Sequence, residues 1–500
     1  MIRKLLFAAL VGGFGLASAK VTAQPPDVPA LISPVVARNG SESSMPVGVR
    51  PIVYNSALAR SSLRVGSSVR VPLPDGANVM LNFEKSKRNT SGSVTWVGQL
   101  AGSSKPYKAI ITDDGEHVFG RIVTPAGEYL IRTVNGIQQL ISPRAAGLAT
   151  LPFANDEAVP PVRTSLSADQ SVEKSTAVAE SAEPTEMATV DVLLAYSSGL
   201  ADELGSGLQT RLEYLIALTN QAYENSEIHQ RVRVVHTVEV DYSDTLTSNG
   251  GALNEITFPS GPPFAAVHDL RDTYGADLVA FIRQFHRAEQ QSCGIAWVLG
   301  SGNRGTVSGS AAYGYSVVSD GSDGFYYCTD LTLAHELGHN MGSTHDRANT
   351  STSPVFPYSY GHGYSELFGT VMSYINPEVA VFSNPDLNCD EQLPCGIAHP
   401  DPESADNARS INNTRFDVAA FRETVVPEPC TPENTLTLEN TVASGTVTET
   451  ACAIVAGPSY TVASAADVVF QANESITLRS GFRVEIGGQF AATAAPGLAP

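Results

Sequence analysis

The sequence predicts a multidomain α+β protein, and three observations support this class. The chain has 500 residues, which is too long for a single hydrophobic core. Between residues 188 and 426, strand-like apolar runs alternate with segments of helical periodicity, which favours a sheet covered by helices. Residues 24–153 and 430–492 carry short apolar runs separated by turn residues, so we expect a β-rich domain before the central region and a small β module after it.

The N-terminus has the pattern of a secretory signal peptide over residues 1–23. Two basic residues precede an apolar run from Leu5 to Leu16, and small residues follow. Cleavage after Ala19 and cleavage after Ala23 both fit this pattern. No later stretch approaches the roughly 20 apolar residues of a membrane-spanning helix. We therefore expect a secreted, soluble protein without a transmembrane segment.

Residues 154–187 are expected to form an acidic, flexible linker. They are rich in Glu, Ala, Ser and Pro and carry no sustained apolar period. A second boundary is expected near residue 427, because the run Val425-Val426-Pro427-Glu428-Pro429 interrupts the preceding helical pattern. The central domain is accordingly assigned to residues 188–426.

The cysteine pattern and the net charge restrict the environment and the partners. Six cysteines in an exported chain favour three disulfides and permit about 15 connectivities. Pairing between neighbours is preferred because it keeps each bond within one domain: Cys293 with Cys328, Cys389 with Cys395, and Cys430 with Cys452. The formal net charge of −20 argues against nucleic acid as a partner, because the two would repel each other. The scattered acidic residues do not define a Ca²⁺ site, and calcium binding is left open.

The most informative stretch runs from Ala334 to Asp346 and reads AHELGHNMGSTHD. Four helical residues make slightly more than one turn, so His335 and His339 share a face and can hold one Zn²⁺. Glu336 lies about 100 degrees round the helix, where a carboxylate can act on water without binding the metal directly. Gly342 can adopt the left-handed conformation that ends a helix, and the resulting turn would return His345 to the metal.

Three histidine ligands leave one tetrahedral position for water, which is typical of a catalytic zinc site. The long histidine motif resembles the metzincin signature, and Gly369-Thr370-Val371-Met372-Ser373-Tyr374 resembles the Met-turn that follows it. The resemblance implies a twisted mixed sheet with helices and zinc in a cleft. It places Met372 beneath the metal as an apolar floor.

Asp346, directly after the third histidine, resembles the reprolysin or adamalysin branch. The run Cys293 to Val298 is similar to the edge strand of that branch, so the backbone of Gly294, Ile295, Ala296 and Trp297 is expected to pair with an extended substrate. Adamalysins usually carry proline where this chain has Tyr374, and astacins and serralysins carry tyrosine. The resemblance implies that Tyr374 either stabilises the oxyanion or is a structural phenol.

These features predict a secreted zinc metalloendopeptidase in which Glu336 is the general base and protein or peptide substrates are cut. The layout suggests that residues 24–153 are a propeptide of a zymogen, although a permanent β domain is an alternative. No cysteine precedes Cys293, which excludes inhibition by a propeptide thiolate. Competing functions are a surface adhesion protein with an inactive metzincin-like domain and a zinc hydrolase acting on other substrates.

The tail, residues 430–492, resembles a β-stack module found at the ends of bacterial secreted proteins, which favours a bacterial source. Such a module could attach the enzyme to a substrate or surface, assist export, or cap the fold.

Overall fold

The computed structural model describes residues 28–35, 45–61, 63–103, 106–151, 156–161, 185–390, 392–426 and 435–494. The predicted signal peptide at residues 1–23, most of the predicted linker and Cys430 lie outside these ranges. The predicted pairing of Cys430 with Cys452 therefore stays a prediction. None of the helices within the described ranges combines the length and the apolarity needed to cross a bilayer.

The N-terminal region is one antiparallel sheet that closes into a barrel. Its elements are β1 (Ile32–Pro34), β2 (Val49–Tyr54), α1 (Ser56–Ala59), β3 (Ser68–Pro72), β4 (Asn78–Arg88), β5 (Val94–Leu100), β6 (Lys108–Asp113), β7 (Val118–Thr124), β8 (Gly127–Val134) and β9 (Ile137–Ile141). The strand order is β1-β2-β9-β8-β7-β6-β5-β4-β3. Hydrogen bonds of 2.9 Å from Leu31 N to Arg70 O and from Arg70 N to Pro29 O join the two ends of the sheet. Closure removes the unpaired edges that an open sheet would expose.

The central region is a sheet with helices packed against it. Its elements before the buried motif helix are β10 (Ala149–Thr150), β11 (Glu157–Ala158), β12 (Ala188–Ser197), α2 (Ser198–Leu204), α3 (Leu208–Asn225), β13 (Gln230–Val240), α4 (Asn249–Thr257), α5 (Pro262–Thr273), β14 (Leu278–Gln284), α6 (Arg287–Gln290), β15 (Gly294–Trp297), β16 (Tyr315–Asp320), β17 (Ser322–Asp323) and β18 (Tyr326–Tyr327). The six-stranded sheet has the order β11-β15-β16-β14-β12-β13. Only the β15–β16 pair within it is antiparallel, so the sheet is mixed.

The second half of this region contains few regular elements. They are α7 (Thr332–Asn340), β19 (Gly363–Tyr364), β20 (Phe368–Gly369), β21 (Asn388–Asp390), β22 (Leu393–Pro394) and α8 (Asn407–Ala419). Disulfides join Cys293 to Cys328 and Cys389 to Cys395. The first bond ties the start of the edge strand β15 to the chain that leads into α7.

Local sequence explains where the helices begin. Ser197 accepts a hydrogen bond from Leu200 N at 3.2 Å and caps α2, and Ser248 caps α4 in the same way. Asp406 accepts from Arg409 N at 2.9 Å and caps α8. Such caps satisfy backbone donors that have no partner inside the helix. The side chains of Leu212, Leu215 and Leu218 on α3 are buried in the same apolar cluster as the strands of the sheet, which is the arrangement of an amphipathic helix.

The barrel packs directly against the central domain. Its residues Val97, Ile110 and Phe119 belong to the same buried apolar cluster as the residues of α3 and the central sheet. The hydroxyl of Tyr327 donates to Glu128 at 2.6 Å, and Arg132 forms an ion pair with the fully buried Asp330. This interface combines apolar burial with charge-assisted hydrogen bonds, which holds the barrel beside the cleft.

The C-terminal region is a stack of parallel strands. Its elements are β23 (Thr435–Leu438), β24 (Val442–Ala443), β25 (Thr446–Ala456), β26 (Thr461–Val462), β27 (Asp467–Leu478), β28 (Arg483–Val484) and β29 (Gln489–Ala494). They form two sheets of orders β23-β25-β27-β29 and β24-β26-β28. Tyr460, Phe470, Phe482 and Phe490 pack together between the sheets. The region is β-rich, as the sequence predicts.

The predicted linker requires a correction at its start. Residues 154–187 were expected to be flexible, but Glu157 and Ala158 form β11, which pairs with Ala296 and Trp297 of β15. Composition alone suggested a linker because the residues around Asp156 are small or acidic. The partners that order this segment lie far away in the sequence.

Candidate metal centre and catalytic cleft

The first two histidines of the motif lie on the same side of α7. The ring centroids of His335 and His339 are 4.8 Å apart, and every residue of α7 is buried. Gly338 allows close packing on this helix, because a Cβ at that position would meet the sulfur of Met372 and lie 3.2 Å from a ring carbon of Phe382. Glycine at position 338 thus lets Met372 pack directly against the helix that carries both histidines.

Gly342 turns the chain so that His345 reaches the other two histidines. Its φ is +89°, a conformation that glycine adopts without strain. A Cβ there would also lie 2.5 Å from Val355 Cγ1. The ring centroid of His345 is 5.1 Å from that of His335 and 4.9 Å from that of His339. The three rings therefore form a nearly equilateral triangle.

Backbone carbonyls fix the orientation of all three rings. The Nδ1 atom of His335 lies 2.7 Å from Val371 O, that of His339 lies 3.0 Å from Ser343 O, and that of His345 lies 3.3 Å from Asn349 O. Carbonyls only accept hydrogen bonds, so each Nδ1 carries the proton and each Nε2 offers a lone pair. Burial lowers the pKa of His335 to about 3, so its ring is neutral.

Asp156 completes the cluster from outside the motif. One carboxylate oxygen lies 2.7 Å from His345 Nε2 and 3.8 Å from His339 Nε2, and the other lies 3.6 Å from His335 Nε2. The four side chains offer ligand atoms that all lie within 4.8 Å of one another. Sequence reasoning missed Asp156, because it belongs to the segment assigned to the linker.

This donor set fits Zn²⁺. The Nε2 atoms of His335 and His345 are 3.2 Å apart, a distance at which two lone pairs repel unless a cation or proton lies between them. The Nε2 of His339 and one oxygen of Asp156 are buried without a hydrogen-bond partner among the described residues, and such groups are costly unless a ligand satisfies them. Imidazole and carboxylate donors in a compact group of four are typical of zinc.

Glu336 points from α7 toward the edge strand. Both oxygens of its carboxylate are buried and have no hydrogen-bond partner among the described residues. Burial, reinforced by the charges of Asp156 and Glu157, raises the pKa of Glu336 well above its usual value. Gly294 makes room for this side chain, because a Cβ on it would lie 2.6 Å from Glu336 Cδ and 2.8 Å from Cγ.

The predicted Met-turn connects to the segment that follows the third histidine. Met372 is fully buried in the main apolar cluster. Asp346 accepts a hydrogen bond from Tyr374 N at 3.1 Å. Its two carboxylate oxygens each accept a hydrogen bond from Asn349 Nδ2 at 2.9 Å. Asp346 therefore joins the turn at Met372 to the chain around His345. The hydroxyl of Tyr374 donates to Asp156, and its ring centroid is 4.6 Å from that of His345.

A cavity of about 440 Å³ opens beside the cluster. Its lining includes Asp156, Thr332, His335, Glu336, Tyr374 and Asn376. The structure thus brings together the three histidines, Glu336, Met372, Asp346, Tyr374 and the edge strand from Gly294 to Trp297. A mixed sheet, a buried histidine helix and this cleft define the domain as one of the zinc metallopeptidase class.

Comparison with known proteins identifies the domain. The model of the reprolysin-like metallo-peptidase family M12B matches residues 186–399, so these residues form a reprolysin-like M12B domain. The model of the BamI lipocalin-like domain matches residues 40–144, within the barrel and its flanks.

Three curated relatives carry the name peptidyl-Asp metalloendopeptidase. The protein of Pseudomonas aeruginosa is 33% identical over 270 residues, which cover 49% of this chain and 42% of that protein. The protein of Xanthomonas campestris pv. campestris is 26% identical, with 47% and 52% covered, and that of Stenotrophomonas maltophilia strain K279a is 28% identical, with 47% and 53% covered. The chain spans about half the length of the curated relatives it matches.

Two solved structures show only weak overall similarity. A chaperone–substrate complex is 22% identical, with a TM-score of 0.38 and coverage of 48% of this chain and 35% of that chain. Metalloproteinase-II of Bacteroides fragilis is 12% identical, with a TM-score of 0.34 and coverage of 58% and 84%.

Proposed function

We propose that this protein is a secreted zinc-dependent endopeptidase that hydrolyses peptide bonds of extracellular proteins. The observation that carries the proposal is the convergence of three buried imidazole nitrogens, with the carboxylate of Glu336 beside them in a cleft. A binding or adhesion domain would have no need to bury an unpaired carboxylate next to the metal ligands, since such burial is costly. The disulfides are consistent with an oxidising, extracellular compartment.

In this proposal, the metal is held by His335, His339 and His345. Glu336 is the general base and then the general acid. Zn²⁺ at this position supplies a Lewis acid that activates water and polarises a peptide carbonyl. Glu336 takes a proton from the attacking water and passes it to the nitrogen of the leaving amine. The hydroxyl of Tyr374 faces the same cluster, so it can donate to the oxygen of the carbonyl under attack as negative charge develops there.

The edge strand is the proposed binding site for substrate backbone. Within the run Gly294 to Trp297, Ala296 and Trp297 already pair with the added strand β11. Ala296 N donates to Asp156 O at 3.1 Å, and Val298 N donates to Ala158 O at 2.8 Å. An extended substrate could use the same donors, because backbone pairing needs no particular side chain. The strand thus provides a general site for polypeptide.

We further propose a preference for aspartyl residues in the substrate. The support is the name of the relatives, together with the two acidic side chains that this cleft already accepts. Thr350 Oγ1 donates to both carboxylate oxygens of Glu157 at 2.9 Å, and His345 N donates to Oε1 at 3.3 Å. These hydrogen bonds support the proposal, because they hold an acidic side chain in the cleft through a hydroxyl and a backbone N–H.

We assign residues 24–153 to a propeptide whose barrel is removed on activation. The support is the position of the barrel beside the cleft and before residues 162–184. Intact-mass measurement of the secreted protein tests this assignment. Retention of the barrel in fully active protein would instead favour a permanent β domain.

The substitution Glu336→Gln tests the catalytic assignment. We expect it to lower kcat/KM for casein or a peptide by roughly 10²–10⁴-fold, since that is the usual contribution of a general acid–base group, while zinc stays at one ion per chain. The exposed Glu403→Gln is the matched control and should retain activity. The assay uses the intact chain and the same chain after limited tryptic digestion, with paired peptides that contain Asp or Asn. Activity that persists in Glu336→Gln or in the presence of a zinc chelator would refute the proposal.

A further inference from the structure

The segment 156–158 occupies the outer edge of the sheet at the cleft. It pairs in parallel with β15, through Ala296 N to Asp156 O and Val298 N to Ala158 O. It therefore uses the backbone donors that a substrate strand would need. A substrate and this segment cannot occupy these positions at the same time.

The side chain of Asp156 faces the Nε2 atoms of the three histidines. It lies 2.7 Å from His345 Nε2 and is 6% exposed. Tyr374 donates its hydroxyl to the same carboxylate. An anionic side chain cannot be cleaved as a peptide carbonyl can, so this arrangement occupies the metal site without presenting a scissile bond. It also occupies the hydroxyl of Tyr374, which in the proposed mechanism donates to the carbonyl oxygen of the substrate.

Neighbouring contacts hold the segment in place. Glu157 accepts hydrogen bonds from Thr350 Oγ1 at 2.9 Å and from His345 N at 3.3 Å, and it is 7% exposed. On the barrel side of the cleft, Ala149 N donates to Phe325 O at 2.8 Å, and β10 pairs with β18. The chain is thus fixed on both sides of the metal cluster. The barrel interface also keeps the local concentration of the segment 156–158 at the cleft high.

We propose that Asp156 is a metal ligand supplied by the chain's own N-terminal region, and that the strand 156–158 keeps the unprocessed protein inactive by closing both the metal site and the edge strand. This inference rests on the proposed zinc endopeptidase function. Activation then requires the segment to leave the cleft, which frees the position opposite the three histidines, the hydroxyl of Tyr374 and the backbone of β15. Cleavage after residue 158 permits this departure, because it separates the segment from the central domain.

The first test measures metal retention and does not depend on activity. Full-length chains carrying Glu336→Gln, which prevents self-cleavage, are loaded with Zn²⁺ and mixed with excess chelator. We expect Asp156→Ala and the isosteric Asp156→Asn to release zinc at least about tenfold faster than the parent, since even indirect partners of a metal site change affinity by 10–100-fold. Asp75→Asn, on the barrel surface, is the matched control and should release zinc at the parental rate. Equal release rates in a folded Asp156→Asn chain would overturn the proposal.

The second test measures latency with Glu336 intact. We expect uncut Asp156→Asn to be at least about tenfold more active on a peptide than uncut parent, because the parent rarely populates the open state. Limited digestion with trypsin should remove this difference, since Arg163 and Lys174 lie between the segment and the central domain. If the parent is as active before digestion as after it, the proposal is wrong. If no chain is active even after digestion, the proposed function fails, while zinc release still decides whether Asp156 binds the metal.

Discussion

Substitution of Gly294 by alanine offers a sharp test of how the edge strand positions Glu336. A Cβ at this position would lie 2.6 Å from Glu336 Cδ, whereas ordinary van der Waals contacts begin at 3.4 Å. The glutamate must therefore move by about 1 Å, and misplacement of a reacting group by that distance can cost about 10²-fold in rate. We expect Gly294→Ala to lower kcat about 100-fold and to leave one zinc bound per chain.

The assay compares processed Gly294→Ala with the parent on one peptide, with zinc content measured in parallel. Gly250→Ala is the matched control, because its added Cβ would lie 3.8 Å from the nearest atom, Ile295 Cδ1. That variant should keep parental kcat. Parental kcat in Gly294→Ala would show that the position of Glu336 is not set by this glycine. Loss of zinc would show that the substitution damages the metal site rather than the placement of Glu336, the proposed general base.

Two further predictions concern stability. Replacing both Cys293 and Cys328 by serine opens a loop of 35 residues, and urea unfolding should show a loss of about 4 kcal/mol; a loss below about 1 kcal/mol would contradict the expectation. Burial raises the pKa of Asp277 to about 7, so the folded state binds this proton more tightly than the unfolded chain, and stability falls as the pH rises from about 4 to about 7. Asp277→Asn should reduce the slope of the unfolding free energy against pH by up to about 1.4 kcal/mol per pH unit. Urea unfolding at pH 5, 6 and 7 measures this slope, and an unchanged slope would contradict the raised pKa of Asp277.

Local spacing was sufficient to predict much of the site. The helix with His335 and His339 follows from the helical period, and the return of His345 follows from the turn at Gly342. The alternation of strands and helices between residues 188 and 426 was predicted from apolar patterns for the same reason. Each of these features depends on residues that are close in the sequence.

Asp156 could not be predicted in this way. Its partner Tyr374 is 218 positions away, and its own neighbours give no strand or motif pattern. Because no cysteine precedes Cys293, a metal ligand supplied by the N-terminal region must be a residue other than cysteine. The sequence does not reveal which residue that is. The close approach of Gly294 to Glu336 is equally non-local, because a glycine in an edge strand does not reveal which side chain faces it.

Titration of the metal-free processed protein with Zn²⁺ tests the central claim most directly. We predict that peptide hydrolysis rises linearly with added zinc and stops rising at one ion per chain. A chain carrying Glu336→Gln should bind one ion with the same endpoint and remain nearly inactive. Full activity in the metal-free protein, or zinc binding at one ion per chain after removal of the side chains of His335, His339 and His345, would contradict the account.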